Sequence, residues 1–269
     1  MNFRLEPDGR ELEFSPEVVI IAGYTGRDQD AVKAHIRELE EQGVRPPPSV
    51  PAYFVVPAEL LTQADVLETP SPRSSGEAEF ALLMDGDAGY VTIASDHTDR
   101  AAEQLDVQLS KQACPKVLGR SAWRLDDVVD RWDRLELRGW TGDGPLDLYQ
   151  EGALAALLPP RRLLELLPWR RREARFVVLG GTLPAIGGMR VAERFRAEIA
   201  DPTTGRALSL EYRVEVLEPL ELRPARTEPD SPEADHLRLA AASLGVPLAP
   251  ERADPLAEVL RRVERRLDQ

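Results

Sequence analysis

Cysteine is almost absent from this chain: Cys114 stands alone in 269 residues. A single thiol excludes an internal disulfide framework and fits a reducing compartment, so the expected location is the cytoplasm. With only three histidines beside it, it leaves no ligand pairs at the spacing of a zinc ribbon or finger. Long apolar runs are missing too. None approaches the roughly 18 residues of a membrane span, and the first residues, MNFRLEPDGRELEF, have no apolar segment of the signal-peptide kind. Positive charge is in deficit, with a formal net charge of −13. That argues against non-specific nucleic-acid binding and against docking on an anionic membrane. The chain also has no Gly-x-Ser-x-Gly elbow, no phosphate-binding P-loop and no dinucleotide fingerprint. The stretch DGDAG starts like a calcium loop but lacks the remaining ligands.

Lysine is the most informative shortage. Only Lys33, Lys111 and Lys116 occur among 34 basic residues, the rest being arginine. A lysine ammonium is a compact point charge whose pKa moves readily, which an arginine is not. Two of the three lie in KQACPK, which marks that stretch as a candidate for a site needing an ammonium. Cys114 sits between them, where two cations could lower its pKa, although a packed thiol is the favoured reading.

What is present reads as a soluble globular protein, 42% hydrophobic and 30% charged. At about 100–200 residues per domain, the length allows one large domain or a domain with an appendage. VVIIAGY (18–24) reads as a buried strand, and QDAVKAHIRELEEQG (29–43) as a helix with Val32, Ile36 and Leu39 on one face. AYFVV (52–56) reads as a short strand and LETPSPRSSG as a loop. EAEFALLMD (77–85) and YVTIAS (90–95), joined by a turn, give a hairpin signal. DRAAEQLDVQLSKQ reads as helical and FVVLGG (176–181) as a further buried strand. ERFRAEIAD (193–201) and RALSLEYRVEVLE (206–218) alternate as a second hairpin. Strands not separated by regular helices favour an α+β fold with a mixed or antiparallel sheet. RPARTEPDSPE is Pro-rich and polar, so a boundary is expected near it. Residues 1–222 then form the main domain, and 223–269 a linker and helical tail.

Four constellations could carry chemistry. On a strand, Glu77 and Glu79 face the same side, and paired carboxylates repel unless solvated, protonated or bridged by a cation. Asp96, in IASDHTDR at the end of the partner strand, could supply a third oxygen ligand. Three carboxylates without a soft ligand suit Mg²⁺, Mn²⁺ or Ca²⁺. Arg100 and a nearby lysine could hold a substrate carboxylate or a developing oxyanion. On the first helix His35 and Glu38 are i and i+3, a spacing that serves a general base or a surface ion pair. GGTLPAIGG places Thr182 in a Gly-rich turn after a buried strand, either a ligand approach or a plain tight loop.

In their order along residues 18–218 these motifs resemble the fumarylacetoacetate hydrolase superfamily, in a divergent bacterial branch known as a domain of unknown function. IIAGYTGRD, with Tyr24, looks like the opening strand and turn, and HIRE like the His-x-x-Glu pair. Glu77 and Glu79 match the Glu-x-Glu metal strand, and SDHTDR looks like the Asp-Val-Ser/Thr-Ala-Arg segment. SKQ resembles the Gly-Lys-Ser segment, with Lys116 a rival to Lys111. YQEG, with Gln150, and GGTLPAIGG resemble the Gln-x-Gly turn and the Gly-Thr-Pro loop. The resemblance implies a strand-rich mixed β-sheet roll with few helices, and a homodimer. It implies Mg²⁺ or Mn²⁺ on Glu77, Glu79 and Asp96. Lys111 and Arg100 would stabilise charge, and His35 with Glu38 would activate water. Thr182, Lys116, Tyr24 and Gln150 would contact substrate. The reaction implied is C–C hydrolysis of a 2-oxo acid or 1,3-dicarbonyl. Decarboxylation, hydration, tautomerisation or a non-catalytic binding role are the alternatives. The chain departs from the pattern at AYFVV, which lacks the usual Phe-x-Lys, in an extra residue between Thr182 and Pro184, and at His97, which replaces an apolar residue beside Asp96. Asp99 reads as structural.

Overall fold

Phe80, Leu82, Val91 and Ile93 pack into one hydrophobic cluster, whereas Ala81, Leu83 and Ala94 pack into another. Side chains alternate faces along a strand, so these adjacent strands are covered on both faces, and their sequences read as near-continuous apolar runs. In the computed structural model, which describes residues 1–41, 46–168 and 174–217, they lie at the centre of a ten-stranded mixed sheet. From one edge its main path runs Glu11–Glu13, Asn2–Glu6, Ser121–Arg124, Ala88–Ser95, Ala78–Asp85, Arg175–Thr182, Val18–Gly23 and Ala52–Val56. Most neighbours are antiparallel. Asn2–Glu6 with Ser121–Arg124, and Val18–Gly23 with Arg175–Thr182, are parallel.

A second sheet of five strands covers one face. Its order is Asp147–Ala153, Glu136–Gly142, Arg194–Asp201, Arg206–Val216 and Val66–Thr69. Here buried positions alternate with exposed ones, as expected of a sheet packed on one side only. Phe195, Ala197, Ile199, Leu208, Leu210 and Tyr212 face the first sheet and share a cluster with Phe80, Leu82 and Ile93.

The architecture is the expected α+β arrangement of mixed sheets with few helices. Both read hairpins form, as Ala78–Asp85 with Ala88–Ser95 and Arg194–Asp201 with Arg206–Val216. The first helix runs Gln29–Glu41. Two readings change. The helix expected over 99–112 is two short ones, Arg100–Glu103 and Val107–Gln112, because the Asp106 side chain accepts from Leu109 N and restarts the turn. The expected loop LETPSPRSSG contains most of one strand and all of another, since Val66–Thr69 pairs in parallel with Arg213–Val216 and Ser74–Ser75 pairs with Thr98–Asp99. The expected linker and tail over 223–269 lie outside the described residues. Among the described residues, no helix is long and apolar enough to cross a membrane.

Candidate metal centre

Three carboxylates converge where the central hairpin ends. Glu77 immediately precedes the Ala78–Asp85 strand, Glu79 lies within it, and Asp96 follows the Ala88–Ser95 strand. Antiparallel register brings Ala78 opposite Ser95, and Asp96 N donates to Glu77 O at 3.0 Å. One oxygen from each of Glu77, Glu79 and Asp96 lies within 4.8 Å of the others.

All three resident cations of this region are drawn in. Lys111 Nζ lies 2.6 Å from Asp96 Oδ2 and 3.1 Å from Glu77 Oε2, and donates to Thr98 Oγ1 at 3.1 Å. Lys116 Nζ lies 3.0 Å from Asp96 Oδ1 and donates to His97 O at 2.5 Å. Arg100 Nη2 lies 3.2 Å from Glu77 Oε1, while Nη1 reaches Glu103 at 2.8 Å and Nε donates to Ser75 Oγ at 2.7 Å. Both candidate lysines therefore face the same carboxylate. Lys116 is wholly buried, and 9% of the Lys111 side chain is exposed.

The electrostatics follow from this crowding. Burial raises the Asp96 pKa, but the two ammoniums outweigh it and bring the group down to about 2. Glu77 is likewise lowered: burial works against ionisation, and Arg100 and Lys111 more than offset it. Glu79 goes the other way. Burial and the charges of Asp96 and Glu77 push it well above the usual carboxylate range, although Gly181 N donates to its Oε2 at 2.9 Å. Gly181 has φ +94°, and a Cβ there would meet Thr25 Oγ1 at 1.9 Å, so glycine is required to aim that N–H. Each Asp96 oxygen is met by one ammonium, Oδ2 by Lys111 and Oδ1 by Lys116.

This donor set fits a hard divalent cation. It offers only oxygen ligands, crowded within 4.8 Å, and one carboxyl is held up by burial and its neighbours' negative charge, with no cation paired to it among the described residues. A cation here would be held by Glu77, Glu79 and Asp96.

The remaining candidates divide. Thr182 Oγ1 donates to Ala78 O at 2.8 Å and accepts from Gln150 Nε2 at 2.6 Å. Gln150 also donates to Leu183 O at 2.7 Å and accepts from Ala78 N at 2.9 Å. Its amide is thus committed to clamping the carboxylate strand onto the second sheet. Tyr24 has φ 58°, unusual for a residue with a Cβ. Burial and then Glu103 raise its phenol pKa, Lys111 opposing, so its ring lies in the field of the same cluster. His35 and Glu38 ride on the Gln29–Glu41 helix, and their side chains lie outside the described residues. Asp99 caps the Arg100–Glu103 helix by accepting from Ala101 N and Ala102 N. Cys114 is buried, and burial pushes its thiol up to about 11 despite Lys116, so the flanking lysines do not activate it.

Sequence reasoning missed three contributors. Ser75 seats Arg100. Tyr212 and Ser74 hold the ring of His97, with His97 Nδ1 2.8 Å from Tyr212 Oη and Nε2 2.9 Å from Ser74 Oγ. Burial, then the positive charges of Lys116 and Arg100, hold the imidazole neutral with a pKa down at about 3. His97 itself was flagged as an oddity of sequence. Its partners carry no such signal, because Tyr212 comes from the second sheet and Ser74 from the short Ser74–Ser75 strand.

A model of the family described as protein of unknown function, DUF2848, matches residues 22–212. No curated protein matches the sequence. Among solved structures, 5-carboxymethyl-2-hydroxymuconate delta-isomerase from Mycobacterium smegmatis is 19% identical, over 78% of this chain and 87% of its own, with a TM-score of 0.52. The yeast protein ynq8, a fumarylacetoacetate hydrolase family protein, is 16% identical over 78% of this chain and 97% of its own, with a TM-score of 0.51. A 2-keto-3-deoxy-D-arabinonate dehydratase complexed with magnesium and 2,5-dioxopentanoate is 17% identical over 76% of this chain and 75% of its own, with a TM-score of 0.54. At these identities the likeness is one of fold. The chain belongs to the DUF2848 family of proteins of unknown function, a divergent branch with the fumarylacetoacetate hydrolase fold.

Proposed function

We propose that this protein is a divalent-cation-dependent enzyme acting on a 2-oxo acid or 1,3-dicarbonyl compound, and that it hydrolyses a carbon–carbon bond. The observation that carries the reading is the convergence of Glu77, Glu79 and Asp96 within 4.8 Å, with Lys111 and Arg100 on the same carboxylates. Mg²⁺ or Mn²⁺, when bound, supplies the Lewis acidity that polarises a carbonyl and favours an enolate. The chain's own groups do the rest.

Lys111 stays charged, because Asp96 and Glu77 outweigh its burial. Its ammonium faces negative charge that develops on a substrate oxygen. Arg100 Nη2 lies 3.2 Å from Glu77 Oε1, which sets its guanidinium beside the carboxylates to meet a substrate carboxylate entering the site. Tyr24 keeps its proton, its pKa being raised, and serves as a further donor to substrate. We assign the general base to His35, with Glu38 three residues on along the same helix, taking a proton from the water that attacks the distal carbonyl. Seating of the substrate by Tyr24 and Arg100 holds its reacting carbon against that water. We place the enzyme in the cytoplasm as a homodimer, which light scattering after size exclusion would check.

The test is an assay of chelator-stripped protein against a panel of acylpyruvates and 2-oxo acids, with Mg²⁺ or Mn²⁺ restored. Turnover should require the cation, release two acids, and be lost in Glu77→Ala. A cation that neither binds nor changes turnover overturns the reading. Release of carbon dioxide, water or an isomer would instead assign decarboxylase, hydratase or tautomerase chemistry to the same residues.

A further inference from the structure

Asp96 is flanked by two residues whose side chains converge on one atom. Ser95 Oγ and His97 Nδ1 each lie 2.8 Å from the hydroxyl of Tyr212. Ser95 ends its strand opposite Ala78, on the face that packs against the second sheet, and the side chain that follows along a strand points to the other face. A single phenol that holds both flanks therefore turns Asp96 away from itself, toward Glu77 and Glu79. Tyr212 belongs to the Arg206–Val216 strand of the second sheet, and Ser95 to the central hairpin of the first. The contact crosses the interface between the sheets. Its other members are equally fixed. His97 Nε2 lies 2.9 Å from Ser74 Oγ, and Lys116 Nζ donates to His97 O. Ser74, Ser95, His97 and Tyr212 are all buried. Gly76, beside Glu77, leaves no slack: a Cβ there would come within 2.7 Å of both the Phe195 ring and the Tyr212 hydroxyl.

We propose that Tyr212 is a positioning residue for the metal centre: its hydroxyl, bonded to Ser95 and His97, aims the Asp96 carboxylate into the triad and ties that ligand to the second sheet. This rests on the reading of Glu77, Glu79 and Asp96 as a cation site. Partners of this kind typically change metal affinity by about 10–100-fold when removed.

Tyr212→Phe deletes one oxygen and keeps the ring packed on Phe195, whose centroid lies 5.7 Å away. Mn²⁺ binding to chelator-stripped protein is measured by calorimetry and by Mn²⁺ paramagnetic resonance, with no substrate present. The control is Thr92→Val, which deletes another buried hydroxyl, on the Ala88–Ser95 strand of the first sheet, bonded to Ser121 O at 2.7 Å. Tyr212→Phe should weaken Mn²⁺ by about tenfold or more. Thr92→Val should lower the melting temperature and leave Mn²⁺ affinity in place. Equal affinity in Tyr212→Phe and the parent protein overturns the proposal. So does parallel weakening in Thr92→Val, because affinity would then track stability. If Tyr212→Phe does not fold, Ser95→Ala, which removes one of the two bonds, decides on the same criteria. Failure of the parent protein to bind Mn²⁺ removes the cation reading itself, an outcome separate from either of these.

Discussion

The two sides of Asp96 are built on opposite principles. Toward Glu77 and Glu79 the protein gathers ionisable groups: three carboxyls, two ammoniums and a guanidinium, with the cations paired to Asp96 and Glu77 and none to Glu79. Toward the second sheet it uses neutral groups, a phenol, two serine hydroxyls and an imidazole. Charge pairs in a buried site cost desolvation and respond strongly to a new ion. A neutral hydrogen-bonded network holds its geometry whatever ion arrives. The contrast separates a side that changes on binding from a side that supports it.

The largest effect should come from cutting the charged side at its centre. Asp96→Asn leaves Lys111 and Lys116 facing each other without their shared counter-charge. It should cost about 3–5 kcal/mol of stability in urea denaturation, the usual loss on breaking a buried pair, and abolish cation binding by calorimetry. The lysines should then come apart. Lys116→Met, at a wholly buried ammonium, should lower the melting temperature more than Lys111→Met does, whereas Lys111→Met should cost more turnover. Equal effects of the two substitutions in both measurements would erase the distinction between a fixed and a working ammonium.

A smaller effect lies in the pH dependence of the cation-free protein. Glu79 has a folded pKa above its unfolded 4.5, so above that pH the folded state keeps a proton the unfolded chain has lost. Its contribution to stability therefore falls as pH rises. His97 has a folded pKa of about 3 against 6.5, so its contribution is complete above 6.5 and is lost as pH falls toward 3. Between 4.5 and 6.5 the two sides pull in opposite directions. Glu79→Gln should leave the rising slope of His97 uncovered, visible in urea midpoints across that range. The smallest expectation concerns Cys114. With its pKa near 11, it should resist alkylation at pH 8 until the protein unfolds.

Much of this arrangement was legible in the sequence because the relevant physics is local. The apolar runs around Phe80 and Ile93, joined by a turn, marked the central hairpin, and strand geometry put Glu77 and Glu79 on one side of it. The scarcity of lysine pointed to KQACPK, and both of its lysines reach Asp96. What stayed hidden depends on pairing across long separations. Nothing around Val66 announces a strand, because its partner begins at Arg213. The Asn2–Glu6 strand is short and forms by pairing with Ser121–Arg124. Gln150 read as a substrate contact because its motif says nothing of Ala78, Thr182 and Leu183, which use its amide. Tyr212 was visible as one inward position of an alternating strand, but its register against Ser95 and His97 is set by sheet packing, not by neighbours in the chain.

The unequal fates of the three lysines have a practical use. Lys33 is exposed, at 61% of its side chain, whereas Lys111 and Lys116 are occupied with carboxylates. An amine-selective label should therefore mark the resting protein at Lys33 and at the terminal amine, and pass over the centre. A cation that takes over the carboxylates held by Lys111 would release that ammonium, and its appearance in a labelling map would report occupancy of the site without a substrate in hand.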